Sequence, residues 1–404
     1  MADTTSNYRT GVVQVAAFAV LVVAHAPALA DEADAINFGV SQTVTRDNNL
    51  YRLADGEEPE GGERGDTISV TGVTAAFDRV YSRQRLQAGL AVTHSAYAVH
   101  DELDYSAPSL RLAWDWQMGN HWSGALSHSY REAMTDFDDT AGSNQTISRN
   151  VRTAASANYW FHPDWAAGVG ASRLSYSYLD NASPESELDS RDVDVNITYR
   201  PSSGNRVVFT ARHTVGRYPK RADVTGSIRD YEQRDVRVSG DWRLTGALRL
   251  SGYFGVTDRS YDSAPKRDFQ GYTGRLALQW APTAKTAVTL SWRREIGAEE
   301  DLVANYAVTR VVSIAPTWAI SDKLRLGGTF DVRTRDYGGD PELGYAGLVD
   351  TGDYRTTTYG LNLSYQAMRA LSLSAGLSRS RRSSAVAASE YKATSIWLSG
   401  KFAF

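Results

Sequence analysis

Arginine and carboxylate side chains are the groups in this sequence best placed to do chemistry. Of 43 Lys and Arg residues only six are Lys, so 37 carry a guanidinium. Many recur at every second position, in segments whose intervening residues are apolar. Arg111, Arg131, Arg152, Arg200, Arg212, Arg237, Arg249, Arg275, Arg293, Arg325 and Arg333 share parity with Ser, Thr, Asp and Asn. Asp115, Asp194, Asp235, Asp241 and Asp331 fall on that same face. A guanidinium offers five donors in a planar fork that fits carboxylates and hydroxyls. A wall of them could hold a passing oxyanion or sugar by weak, replaceable bonds. Tyr253, of the same parity, adds a ring on which a sugar could stack. The plainer alternative is that these charges pair with one another and only keep a cavity wet.

Other chemistries have weaker support. There is no Cys, hence no thiolate nucleophile, thiolate metal site or disulfide. Of the seven His, His94 and His128 are each followed by Ser, but neighbours on a strand point to opposite faces and cannot form a dyad. His121 and Ser123 share a face beside a tight turn. No nucleophile-elbow, zinc-protease or phosphate-loop motif occurs in a suitable context, so an enzyme is not expected, and no cofactor or metal is assigned. The acidic stretches 55–66 and 136–139 could gather calcium, though such runs are more often solvated loop tips. Arg381-Arg382 could touch lipopolysaccharide phosphate.

The elements that must position these groups are strands. Leu110, Leu112, Trp114 and Trp116 alternate with polar residues, as do Val193, Val195, Ile197 and Tyr199, and again Leu324, Leu326, Gly328, Phe330 and Val332. Strict alternation over ~10 residues describes a tilted strand with one apolar and one polar face, long enough to cross a bilayer. Short links (117–120, 161–164, 201–204, 243–246, 281–284) take turns with long polar ones, the pattern of an outer-membrane barrel. The spacing predicts an all-β, transmembrane, antiparallel up-and-down barrel of eighteen strands. Sixteen is the nearest alternative, since 36–46 and 165–178 alternate least regularly. Trp114, Trp116, Trp122, Trp160, Trp165, Trp242, Trp280 and Trp318 lie near short turns and predict a periplasmic aromatic girdle. Arg310 breaks the pattern, sharing parity with Val308, Val312 and Ile314; it must snorkel, or the register slips there by one.

Composition agrees. Past residue 30 no run approaches the ~20 apolar residues of a helical span. A net charge of -4 gives no nucleic-acid signature. Residues 11–24 are apolar and precede Ala28 and Ala30, a small-residue cleavage pattern. Residues 1–30 are therefore expected to be a signal peptide, and 31–404 the barrel. Only about five residues separate Asp31 from the first strand, which argues against a plug domain ahead of it. Phe404 ends an alternating final strand (Ile396, Leu398, Gly400, Phe402) of the kind that barrel-insertion machinery recognises.

The segments INFGVSQTVTRDNNLYRL, GGERGDTIS, YSRQRLQAGLAV, LAWDWQMGNHWSGALS, RNVRTAASANYWFHPDWAAGVGASRL and YRPSSGNRVVF resemble the exosortase-associated exopolysaccharide outer-membrane proteins (the EpsL-like family). The likeness covers the whole of 31–404, is densest over about 36–240, and carries no catalytic residues. It implies a part in making or exporting an extracellular polysaccharide, acidic if it is to pair with the Arg, alongside periplasmic export components and outer-membrane lipid. The residues themselves imply only a wet conduit, so a porin for small solutes stands as the alternative.

Overall fold

The computed structural model describes residues 35–59, 62–138, 145–179, 186–220, 230–261, 268–298, 306–338 and 353–404; Ala28 and Ala30 lie outside them. Eighteen strands follow one another along the chain. The first six are β1 (Ile36–Asp47), β2 (Asp66–Tyr81), β3 (Gln84–Tyr97), β4 (Tyr105–Met118), β5 (Trp122–Met134) and β6 (Ile147–His162). Next come β7 (Trp165–Tyr178), β8 (Leu188–Tyr199), β9 (Arg206–Arg217), β10 (Asp230–Thr245), β11 (Leu248–Ser260) and β12 (Phe269–Trp280). The last six are β13 (Thr286–Ala298), β14 (Tyr306–Ala319), β15 (Leu324–Gly338), β16 (Tyr354–Met368), β17 (Leu371–Ser384) and β18 (Tyr391–Ala403).

Each strand pairs antiparallel with its sequence neighbours, and β1 also pairs with β18, closing the sheet. At that seam the Phe38 and Phe404 backbones exchange two N–H···O bonds of 2.8 Å. Closure leaves no strand edge unpaired, which is what hydrocarbon requires of a sheet that crosses it. The sixteen-strand alternative fails because Ile36–Asp47 and Trp165–Tyr178 are both fully laddered. Strands outrun their alternating stretches: around Leu110–Trp116 the strand covers Tyr105–Met118. The extra residues sit at the rims, where apolar alternation stops but hydrogen bonding continues.

One face of the closed sheet is apolar and open: Val236 is 67% exposed and Val195 59%. In water such a belt would be untenable, but against lipid it is the buried surface. Trp114, Trp122, Trp165, Trp280 and Trp318 stand exposed toward the short-turn end of their strands. Trp160 departs from that girdle. Its indole Nε1 donates to Ser123 Oγ at 2.8 Å, and the Arg200 guanidinium lies 4.1 Å from its ring centre, on the inner face. Buried apolar residues gather at the long-loop rim instead. Leu50, Tyr51, Tyr97, Leu103 and Phe137 form one cluster, and Tyr218, Tyr231 and Tyr261 a second.

Candidate functional site: a basic inner wall beneath a narrowed mouth

The parity that puts Val236, Phe254 and Leu290 on the lipid face puts their neighbours inside. Arg111, Arg131, Arg152, Arg200, Arg212, Arg237, Arg249, Arg275, Arg293, Arg325 and Arg333 all occupy the face opposite the exposed apolar residues, with Asp115, Asp194, Asp235, Asp241, Asp331 and Tyr253. Cross-strand register joins part of this set into one row. Tyr253 pairs with Arg275, Arg275 with Arg293, Arg293 with Val311, Val311 with Arg333, Arg333 with Thr356, and Thr356 with Arg382. Strands in such barrels tilt by ~35–45°, so a row perpendicular to them climbs as it goes round. Tyr253 stands five residues above the short-turn end of β11, whereas Arg382 stands eleven above that of β17. The row is a staircase of guanidinium groups rising toward the long-loop rim.

Pairing along the wall is uneven. At the foot of the staircase Glu295 accepts from Tyr253 Oη at 2.7 Å and Arg275 Nη2 at 3.1 Å, with Arg293 Nε at 3.7 Å. Arg212 bridges Asp194 at 3.2 Å and Asp192 at 3.6 Å. Asp241 accepts from Arg249 Nε at 2.6 Å. Asp235 takes the Thr257 hydroxyl at 2.6 Å, and Arg152 reaches Ser172 Oγ at 3.3 Å. Asp115 lies across from Arg85, which is itself committed to Asp78. Among the described residues Arg111, Arg131, Arg237, Arg325 and Arg333 make no ion pair; Arg237 lies over the Tyr253 ring at 5.5 Å. The wall thus keeps guanidinium groups that no carboxylate engages.

Above the wall the mouth is narrowed by loops that fold inward. Asp138, in the β5–β6 loop, is the hub. It accepts the Tyr391 hydroxyl at 2.6 Å and lies 3.4 Å from Arg52 Nε, while Arg382 Nη2 bonds its backbone carbonyl at 2.6 Å. Arg382 and Tyr391 belong to β17 and β18, so the loop reaches past β4, β3, β2 and β1 to meet them. Burial opposes the charge on Arg52, but Asp47 and Asp138 outweigh it and hold its pKa above the ordinary value. Burial, then Glu102 at 3.3 Å, pushes the neighbouring Tyr51 phenol up. Residues 46–53, RDNNLYRL, therefore build the mouth: Asp47, Asn49, Leu50, Tyr51 and Arg52 all turn into it. Sequence reasoning missed this hub because loops have no period to read. Its only signal was an aromatic residue within an acidic run, Asp136-Phe137-Asp138.

The acidic stretches hold no cation cluster among the described residues. Asp138 is engaged by Arg52, Arg382 and Tyr391. Asp55 pairs with Lys392 at 2.5 Å. Asp66 takes backbone N–H groups of Ala98 and His100 at 3.0 Å each, and His100 Nδ1 at 2.9 Å. The His–Ser neighbours separate as strand geometry demands. His94 meets Ser106 at 3.0 Å on the lipid face, whereas Ser95 is buried on the other. Arg381 and Arg382 also part, the first outward and exposed, the second inward. Arg310 faces out in register and pairs with Asp336 at 2.5 Å near the long-loop end. It has company the parity reading overlooked. Arg149, Arg173, Arg191, Arg217, Arg234, Arg294, Arg355 and Arg379 also face out, all near that rim. Outward Arg costs ~2–4 kcal/mol at the bilayer midplane but only ~0–1 near its surface, so alternation alone cannot exclude it there.

No curated protein matches the sequence. Among solved structures, the chain is similar to OccK2 (OpdF) of Pseudomonas aeruginosa in complex with glucuronate, with a TM-score of 0.49, 12% identity, and 91% of this chain and 98% of that one covered. It is similar also to the outer membrane protein OpdK of Pseudomonas aeruginosa (TM-score 0.47, 11% identity, 91% and 99% covered). A third is OccAB3 of Acinetobacter baumannii (TM-score 0.47, 9% identity, 91% and 98% covered). Residues 39–404 match the family described as "Putative beta-barrel porin 2", and the chain belongs to that family as a porin-like β-barrel of the outer membrane.

Proposed function

We propose that this barrel passes small anionic solutes, carboxylates above all, along the arginine wall. The observation that carries the reading is the unpaired set Arg111, Arg131, Arg237, Arg325 and Arg333, facing an interior that eighteen strands make wide enough for water. Free guanidinium forks match a carboxylate in shape and charge. Their spacing along the wall favours many weak contacts over one tight site, as conduction requires. The loops held at Asp138 narrow the entrance and favour a small solute over a polymer. Current through the purified barrel in planar bilayers tests this. The reversal potential under a salt gradient should report anion preference, and millimolar glucuronate should reduce the small-ion current. A cation preference would overturn the reading.

A second reading, export of an extracellular polysaccharide with periplasmic partners, rests on the resemblance of the chain, densest over 36–240, to the exopolysaccharide proteins. It draws support from one observation: RDNNLYRL, one of the segments that carry that resemblance, builds the mouth. On this reading the loops would have to swing aside for a polymer. A deletion strain that still secretes normal polymer would end it.

A further inference from the structure

The outward cations are not spread evenly around the rim. Four of them pair with a carboxylate on the same face, whereas Arg191, across from Arg173, and Arg294, across from Arg310, make no such pair among the described residues. Arg149 pairs with Glu132 at 2.9 Å, Arg173 with Asp189 at 2.5 Å, Arg217 with Asp230 at 3.2 Å, and Arg310 with Asp336 at 2.5 Å. The seam sector gathers four cations against one carboxylate, Asp55. Arg379 and Arg381 on β17, Lys392 on β18 and Arg46 on β1 all point out and are exposed. Arg381 and Lys392 are direct cross-strand partners, and Arg379 faces Thr394 two pairs below. Like charges placed directly opposite destabilise a sheet unless something compensates them.

The compensation on the protein is thin. Lys392 reaches Asp55 in the β1–β2 loop, and Arg46 Nη1 donates to Thr67 Oγ1 at 3.2 Å. The Glu390 carboxylate, in the β17–β18 loop, accepts the Ser384 backbone N–H at 3.3 Å. No strand residue of this sector offers a carboxylate to the two Arg among the described residues. Immediately below the cations the surface is apolar and open, at Tyr359, Leu361, Leu377, Ile396 and Leu398. A cationic patch directly above a lipid-facing apolar one is complementary to a molecule with a phosphorylated head and acyl tails.

We infer that Arg379, Arg381, Lys392 and Arg46 form a docking site for the phosphorylated headgroup of an outer-leaflet glycolipid, lipid A. Its phosphates would lie between the Arg and Lys side chains, and its chains against Leu377 and Leu398. Guanidinium–phosphate pairs are short and bidentate, and they would relieve the Arg381–Lys392 repulsion that the sheet otherwise bears. The inference is independent of which solute the barrel passes.

The test uses the whole purified barrel. Native mass spectrometry compares bisphosphorylated lipid A with its dephosphorylated form, on wild type and on Arg379→Gln/Arg381→Gln/Lys392→Gln. Each surface cation contributes modestly to an anionic headgroup, so we expect wild type to prefer the phosphorylated lipid by about tenfold or more. The triple variant should lose that preference while keeping its single-channel conductance, and Arg173→Gln should keep both. Equal binding of the two lipids by wild type would overturn the inference. So would a triple variant that retains the preference, or competition by equimolar inorganic phosphate, which would mark a free-anion site. If the triple variant does not fold, Arg381→Gln alone and the wild-type comparison decide.

Discussion

The Arg382 guanidinium donates to the backbone carbonyl of Asp138 at 2.6 Å, joining residues 244 apart in the chain. This bond, with Tyr391 on the Asp138 carboxylate, pins the β5–β6 loop across the mouth. Removing the Asp138 carboxylate takes the acceptor from the Tyr391 hydroxyl and one of two counter-charges from Arg52, while the carbonyl bond to Arg382 stays; the cost is about 1–3 kcal/mol. Asp138→Ala should release the loop and raise single-channel conductance, and Arg382→Ser should do the same. Unchanged conductance in both would place the loop outside the conduction path.

Selectivity should follow unpaired charge. Replacing Arg237, Arg325 and Arg333 together by Gln should move the reversal potential toward cation preference, with heat-modifiable folding retained. The neutral double replacement Arg249→Gln/Asp241→Asn removes an ion pair of no net charge. It should leave the reversal potential close to wild type, measured under the same salt gradient.

Asp66 satisfies the backbone where β2 begins and the β3–β4 loop crosses, accepting from Thr67, Ala98, Val99 and His100. Asp66→Ala strands those N–H groups in a buried place. A loss of about 2–4 kcal/mol is expected, read as a lower urea midpoint in lipid vesicles. An unaltered midpoint would mean that water or a loop shift replaces the carboxylate.

Gly252 has φ +134, and a methyl there would run into the Arg275 carbonyl. Its freedom lets β11 close on β12 beside Tyr253 and Arg275. Gly252→Ala should cut the yield of folded barrel severely, through both strain and collision. Wild-type yield on heat-modifiable mobility gels would contradict this.

Strand number was legible because alternation survives wherever one face meets lipid, as at Val193–Tyr199 and Leu324–Val332. Arg237 and Arg333 could be assigned a face from parity alone. Depth could not be read that way. Arg173, Arg294 and Arg379 share parity with lipid-facing residues and are tolerated only because they stand at the rim. Nor could parity show that Asp138 would find Arg382, since contacts between loops and distant strands depend on closure of the whole sheet. Trp160 shows the remaining weakness: nearness to a turn does not say which way a ring points.

The rise of Tyr253, Arg275, Arg293, Arg333 and Arg382 from strand to strand has a kinematic consequence. From β11 to β17 the row crosses six of eighteen strand spacings, about a third of the circumference. On the proposed path, an anion handed from one guanidinium to the next would not travel straight along the axis. It would follow a screw, turning by roughly 120° while it rises, and a rigid elongated solute would have to reorient as it goes. Passage through this protein would then discriminate by molecular length as well as by charge.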